Sequence, residues 1–285
     1  MKIENILLTT DFSENARKAY HRACSLAQKF GATIHLVHFA GMVPVTCGGA
    51  PSDDFYANTE QELEQEATTH PLLRQQRVSP ALIQGRWTPN DLHGLEAERD
   101  IDIVVMATHG RTGLKHFVLG SFAERMVRNS MSPMLVCHER QVNDDFHPIR
   151  VLVPYDFSPP SSAVLPAIRF LAQNYGCSFH FVHIDEPLPA RSRTLSVAVR
   201  EMLVDAPLPS PQERFERLLE SELSGISASW ESYCGIACVE ITRQAREREC
   251  DLVLMGTHGV LGSVAQYVTR KSPCDVLSIR QAMVS

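Results

Sequence analysis

Two glycine-bearing segments of this chain have the residue types of an anion-binding turn. Met106 to Val136 reads MATHGRTGLKHFVLGSFAERMVRNSMSPMLV, and Met255 to Ile279 reads MGTHGVLGSVAQYVTRKSPCDVLSI. Each leads from an apolar run into Thr-His-Gly, then Leu-Gly-Ser, then a helical pattern. Nine residues separate Gly110 from Gly120, whereas two separate Gly259 from Gly262. Glycines let backbone N–H groups approach an anion closely, and the N-terminus of a following helix favours negative charge. Arg111 and Lys115 add cations to the first loop alone. Ser121 supplies a hydroxyl where the next helix opens, and it reads as that helix's own cap. Turn glycines and a helix cap are the plainer reading of the same residues. The chemistry in view is phosphate binding by the first segment; the second is too short to embrace a phosphate.

The elements that must position these loops also come in pairs. Asn5-Ile-Leu-Leu-Thr-Thr-Asp11-Phe-Ser13 matches Arg150-Val-Leu-Val-Pro-Tyr-Asp156-Phe-Ser158, 145 positions later. Gly31-Ala-Thr-Ile-His-Leu-Val-His38 matches Gly176-Cys-Ser-Phe-His-Phe-Val-His183 at the same offset. Ordered matches with small shifts mean a duplication, giving domains at 1–141 and 149–285 joined by the polar stretch Glu139 to Pro148. Within the first copy, strands are expected at Ile6–Thr10, Thr33–Phe39, Val78–Ile83, Asp102–Ala107 and Met134–His138. Helices are expected after Ser13, near Asn58–Arg74, over Thr88–Glu98 and over Ser121–Asn129. Apolar strands alternating with helices predict an α/β fold, two tandem doubly wound parallel-sheet domains. Ligands of such sheets sit at the carboxyl ends of the strands, where Asp11, Phe39 and Ala107 to Gly110 fall.

Composition excludes several classes. The chain has 285 residues, 44% hydrophobic and 21% charged, with a net charge of −6, which argues against a broad nucleic-acid surface. No apolar run approaches a membrane span, and the N-terminus reads as a strand. Eight cysteines form no CxxC pair, which suits a reducing, cytoplasmic setting. Cys234 and Cys238 have no second ligand pair to accompany them.

The residues resemble the universal stress protein family in its tandem two-domain form. ATP-binding members of that family carry Gly-x2-Gly-x9-Gly-(Ser/Thr), and Ala107-Thr-His-Gly110-x9-Gly120-Ser121 matches it except at the first position. The resemblance implies an adenine-nucleotide α-hydrolase-like fold and a nucleotide site in the N-terminal copy. It places Asp11 by the ribose, Phe39 at the adenine through its backbone, and Gly110, Gly120 and Ser121 at the phosphates. Thr9, Ala107, Arg111 and Phe122 complete the candidate set. Ala107 would be strained if its φ were positive and costs little in extended geometry. The second copy has Gly256, Asp156 and Ile184 at matching places but lacks seven loop residues and the basic pair, so no ATP is expected there. The final strands are expected to pack the copies as a pseudo-dimer, and two chains to pair again as a homodimer.

Enzyme signatures are absent. There is no Walker loop, no GxGxxG after the first strand and no GxSxG elbow. His35 and His38, like His180 and His183, lie three apart on a strand and so face opposite sides, which makes no ready metal site. His109 and His258 can touch a ligand or simply serve the turn. Pro187 to Pro211 reads as a surface loop with a short helix, or as a flap or docking segment. The expectation is a cytoplasmic, non-catalytic stress protein that binds ATP or a related adenine nucleotide and signals to an unknown protein partner. The alternatives are a nucleotide-independent interaction protein and a weak ATPase.

Overall fold

The computed structural model describes residues 2–40, 52–85, 87–108, 121–138, 145–186, 209–257 and 262–281. In the N-terminal copy the order is β1 (Asn5–Thr9), α1 (Glu14–Phe30), β2 (Thr33–Phe39), α2 (Asp53–Thr69), β3 (Arg77–Ile83), α3 (Pro89–Glu98), β4 (Ile103–Ala107), α4 (Ser121–Asn129) and β5 (Met134–Cys137). The C-terminal copy follows with β6 (Arg150–Pro154), α5 (Pro159–Ser162), α6 (Leu165–Tyr175), β7 (Ser178–Asp185), α7 (Pro211–Glu222), β8 (Ala228–Cys234), α8 (Ala237–Glu247), β9 (Leu252–Thr257), α9 (Ser263–Lys271) and β10 (Asp275–Arg280).

One ten-stranded sheet runs through both copies in the order β3-β2-β1-β4-β5-β10-β9-β6-β7-β8. Every neighbouring pair is parallel except β5 with β10, which is antiparallel. At that seam Val136 faces Val276, two residues that correspond under the repeat, so a local two-fold axis passes between the copies. The final strands therefore join the copies, as the resemblance implies. Strands β1, β4, β6 and β9 are covered on both faces, which explains their unbroken apolar runs. Pro80 is tolerated within β3 because that strand is an edge.

Local signals set most element ends. Ser13 caps α1 by accepting from the Ala16 N–H, and Gly31 ends it at φ 67°, in the left-handed region glycine favours. Thr88 and Asp91 form a reciprocal capping box on α3. α2 starts earlier than its apolar pattern indicates, because Ser52 accepts from the Phe55 N–H and Asp53 and Asp54 fill the first turn; it ends at Thr69, ahead of Pro71. α4 begins at Ser121 itself, so the serine is the first helical residue and not the cap. The equivalent α9 makes this plain: its cap is Gly262, and Ser263 follows inside the helix.

The copies differ most after their first strand. α1 is a single helix of 17 residues, whereas its counterpart breaks into α5 and α6. Pro166 has no N–H for the carbonyl four residues back, and its ring crowds that carbonyl. The short α5 then sits on the end of β9. A methyl group added at Gly256 would lie 1.8 Å from the Pro160 carbonyl oxygen. Ala107, the counterpart of Gly256, is paired in β4 opposite Cys137 and has extended geometry, so it carries no strain.

A buried ion pair crosses the seam. Arg22 on α1 is 5% exposed and Asp275 on β10 is 1% exposed, with Nε to Oδ2 at 2.8 Å. Oδ1 of Asp275 accepts from the His138 N–H at 2.8 Å. Asp275 occupies the place that Leu135 holds in the first copy, so the pair breaks the local symmetry. Arg280 donates to the carbonyls of Asn129 and Ser130, tying β10 to the end of α4.

Candidate functional site

The strand order 3-2-1-4-5 reverses direction between β1 and β4, the place beyond the carboxyl ends of the strands where sheets of this kind take their ligands. Thr9, Asp11, Phe39 and Ala107 all lie at this end. So do the Ser121 backbone and Phe122, at the start of α4. Gly110, Arg111 and Gly120 lie outside the described residues, as do Lys115, His109, His258, Gly259 and 187–208. The Ser121 side chain is likewise outside them.

The turn after β1 is held by its own polar groups. Asp11 Oδ1 accepts from the Ser13 N–H at 3.1 Å and from the Ser13 hydroxyl at 2.6 Å. Phe12 between them has φ 64°, a left-handed conformation that costs a non-glycine residue about 1–2 kcal/mol. Its N–H reaches Thr10 Oγ1 at 3.0 Å, and its ring packs on His38 at 4.9 Å between centroids. Phe157 repeats the conformation at φ 60°, with Asp156 and Ser158 in the same roles. His38 Nδ1 donates to the Thr10 carbonyl at 2.7 Å, which fixes β2 against the turn. The Thr10 hydroxyl meets the Tyr20 hydroxyl at 2.7 Å, and burial pushes the Tyr20 phenol well above its ordinary value.

Phe39 is part of a ring cluster that the sequence reading missed. Its centroid lies 5.4 Å from Trp87 and 5.3 Å from Phe122, and Trp87 lies 5.8 Å from Phe122. Phe39 is 6% exposed and Trp87 2%. The Arg125 guanidinium stacks 4.3 Å over Trp87 and donates to its carbonyl at 2.9 Å. The buried Trp87 Nε1 finds no acceptor. The sequence signals nothing for this residue beyond its place between the strand at Val78–Ile83 and the helix at Thr88–Glu98.

At the corresponding switch point of the C-terminal copy lies a half-open cavity of about 420 Å³. Ile184, Met255 and Gly256 line it beside the carboxylates of Asp156 and Glu186, and no basic side chain is found among its described lining residues. Burial pushes the Asp156 carboxyl up, but hydrogen bonds from Ser158 and Ser161 outweigh it and hold the group below the usual range. Glu186 accepts from the Ala237 N–H at 2.8 Å, capping α8. Carboxylates in the lining repel a polyphosphate.

Fold and site together define a tandem pair of doubly wound α/β domains, each with a switch point at the carboxyl ends of its strands. The model of the universal stress protein family matches residues 2–138 and 149–280, and the chain belongs to that family. A universal stress protein of Synechocystis is 26% identical over 98% of this chain and 100% of its own length. A homologue from Coxiella burnetii is 29% identical, over 45% of this chain and 90% of its own. The crystal structure of a universal stress protein from Archaeoglobus fulgidus superposes with a TM-score of 0.70 at 21% identity, covering 100% of this chain and 98% of that one. Among the described residues no helix is long and apolar enough to cross a membrane, and no group of three or more His, Cys, Asp or Glu is placed to hold a metal ion.

Proposed function

We propose that the chain binds ATP or a related adenine nucleotide in its N-terminal copy. It acts without catalysis in the cytoplasm, and the bound state alters contacts with a protein partner. The observation that carries this is the convergence of Asp11, Phe39, Ala107 and the start of α4 at the β1/β4 switch point, just where the nine-residue glycine loop leaves β4. The extended geometry of Ala107 supports it, since its departure from glycine costs no strain. The charge contrast supports it too: Arg111 and Lys115 belong to the N-terminal loop, and the described lining of the C-terminal cavity carries the carboxylates of Asp156 and Glu186. Two chains pair as a homodimer of four domains.

One observation favours a nucleotide-independent interaction protein as the second reading. Phe39, which the resemblance sets at the adenine, is buried against Trp87 and Phe122 in the protein's own core.

Titrating ATP into the wild type, Gly120→Asp and Gly262→Asp separates the two. Gly262 has ordinary φ at a helix cap, and an added Cβ there meets nothing within 4 Å, so its variant should fold. The expected result is saturable binding that Gly120→Asp abolishes and Gly262→Asp leaves intact. No saturable binding by the wild type would establish the second reading. Loss with Gly262→Asp alone would move the site to the other copy. Phosphate release abolished by Gly120→Asp would show an ATPase.

A further inference from the structure

The amino ends of the strands, opposite the nucleotide crevice, carry a second duplicated cluster that the proposed function does not use. In the N-terminal copy it consists of His35, Ser79 and Arg99. His35 on β2 pairs in register with Ser79 on β3. Arg99 NH1 donates to Ser79 Oγ at 3.0 Å and to His35 Nδ1 at 3.2 Å. Since Nδ1 accepts, the ring proton sits on Nε2 and is donated to Asn5 Oδ1 at 3.1 Å. Both ring nitrogens have partners, so the imidazole is closed, while the buried Arg99 Nε has none.

The same three residue types recur as His180, Ser229 and Arg248, again with His180 and Ser229 in register. The fourth member has changed: Arg150 stands in place of Asn5 on the first strand of the copy. A guanidinium has no acceptor, so it cannot take the imidazole proton. His180 Nδ1 meets Ser229 Oγ at 2.7 Å, while its buried Nε2 has no partner. A hollow of about 350 Å³ opens at this point, lined by Arg150, Ser178, His180, Ser227, Ser229 and Arg248 along with apolar groups. No acidic side chain is among its described lining residues. Glu231 pairs with Arg248 NH2 at 2.6 Å, Glu249 lies 3.6 Å from Arg150 NH2, and Asp251 accepts from the N–H groups of Ile149 and Arg150. Ser227 and Ser229 are exposed, so the hollow is open to solvent.

We propose that this hollow is a binding site for a small metabolite bearing a phosphate or carboxylate, and that the change from asparagine to Arg150 opens in the C-terminal copy a site that Asn5 closes in the first. Two guanidiniums, an imidazole nitrogen and three serine hydroxyls supply charge-assisted and neutral donors to an oxyanion. The site is independent of the nucleotide crevice and does not depend on that reading.

The repeat supplies the test, because Arg150→Asn gives the C-terminal copy the residue its twin already carries. Inorganic phosphate and acetate are titrated separately into the full chain carrying Gly120→Asp, which removes the phosphate loop from consideration. The ring signals of His180 and His35 are followed by NMR. The expected result is a saturable shift of His180 with at least one of the two anions, no shift of His35, and binding about tenfold weaker in Arg150→Asn. The stronger of the two responses tells a phosphate-bearing from a carboxylate-bearing ligand. An unresponsive His180, or unchanged affinity in a folded Arg150→Asn variant, would overturn the proposal. Asn5→Arg is the reciprocal change: a phosphate-responsive His35 supports the site, and a silent one counts against Arg150 as its cause.

Discussion

Replacing Asp275 with leucine, the residue at the matching position of the first copy, should be among the most damaging single changes in this protein. It leaves the Arg22 guanidinium 5% exposed with its 2.8 Å carboxylate partner gone, and it takes the acceptor from the His138 N–H. Breaking a buried pair on one side costs about 3–5 kcal/mol, and an unsatisfied amide adds about 1 kcal/mol. Replacing both charges with apolar groups of similar length removes both members of the buried pair, so Arg22→Met with Asp275→Leu should lie within about 2 kcal/mol of the wild type. Urea denaturation followed by fluorescence is the assay, because the two tryptophans, Trp87 and Trp230, report on one copy each. The coupling energy from the cycle should be at least about 2 kcal/mol, with both copies unfolding at one midpoint in the wild type. If Asp275→Leu cost less than about 1 kcal/mol, or if the double variant were no better than the single, the pair would not lock the seam.

Three further outcomes follow from the geometry. Gly256→Ala should cost about 3 kcal/mol or more, since its methyl would meet the Pro160 carbonyl at 1.8 Å, whereas Ala107→Gly should change stability by about 1 kcal/mol; equal effects in thermal melts would refute the comparison. Ser13→Ala should cost about 1 kcal/mol through the lost α1 cap, and chemical denaturation showing no change would mean that another group satisfies the Ala16 N–H. Burial, aided by Arg99, lowers the His35 pKa from 6.5, and burial lowers that of His70 too. The unfolded chain therefore binds more protons below pH 6.5, so this contribution is complete above that value and is lost as pH falls toward the lowered folded values. Melting temperature should drop on acidification through this window, and less so in His35→Gln; a wild-type profile flat or rising over it would show that His35 is not held neutral.

The repeat and the strands were legible because each has a local signature. Apolar runs give strands, Ser13 and Gly31 bracket a helix, and corresponding motifs count the copies. Asp11, Phe39 and Ala107 could be placed at strand ends from those runs alone. The remaining features depend on tertiary register. His35, Ser79 and Arg99 are far apart in sequence and meet only once β2 pairs with β3. Arg22 and Asp275 are separated by the whole duplication, and nothing near either announces the other. The ring cluster at Phe39 needs Trp87 and Phe122 to arrive from two other elements. Ser121 has the right type for a cap, but one residue of helix phase makes it the first helical residue instead.

The axis through Val136 and Val276 also has a genetic consequence. In a homodimer every mutation is imposed on both sides of the axis at once, so a loss on one face is a loss on both. Covalent fusion removes that constraint and fixes the ratio of the two halves at one to one. Arg150 can therefore replace the asparagine of one half while Asn5 remains in the other, and a glycine loop can be shortened on one side alone. The seam lets two descendants of one domain diverge without ever competing with each other for a partner.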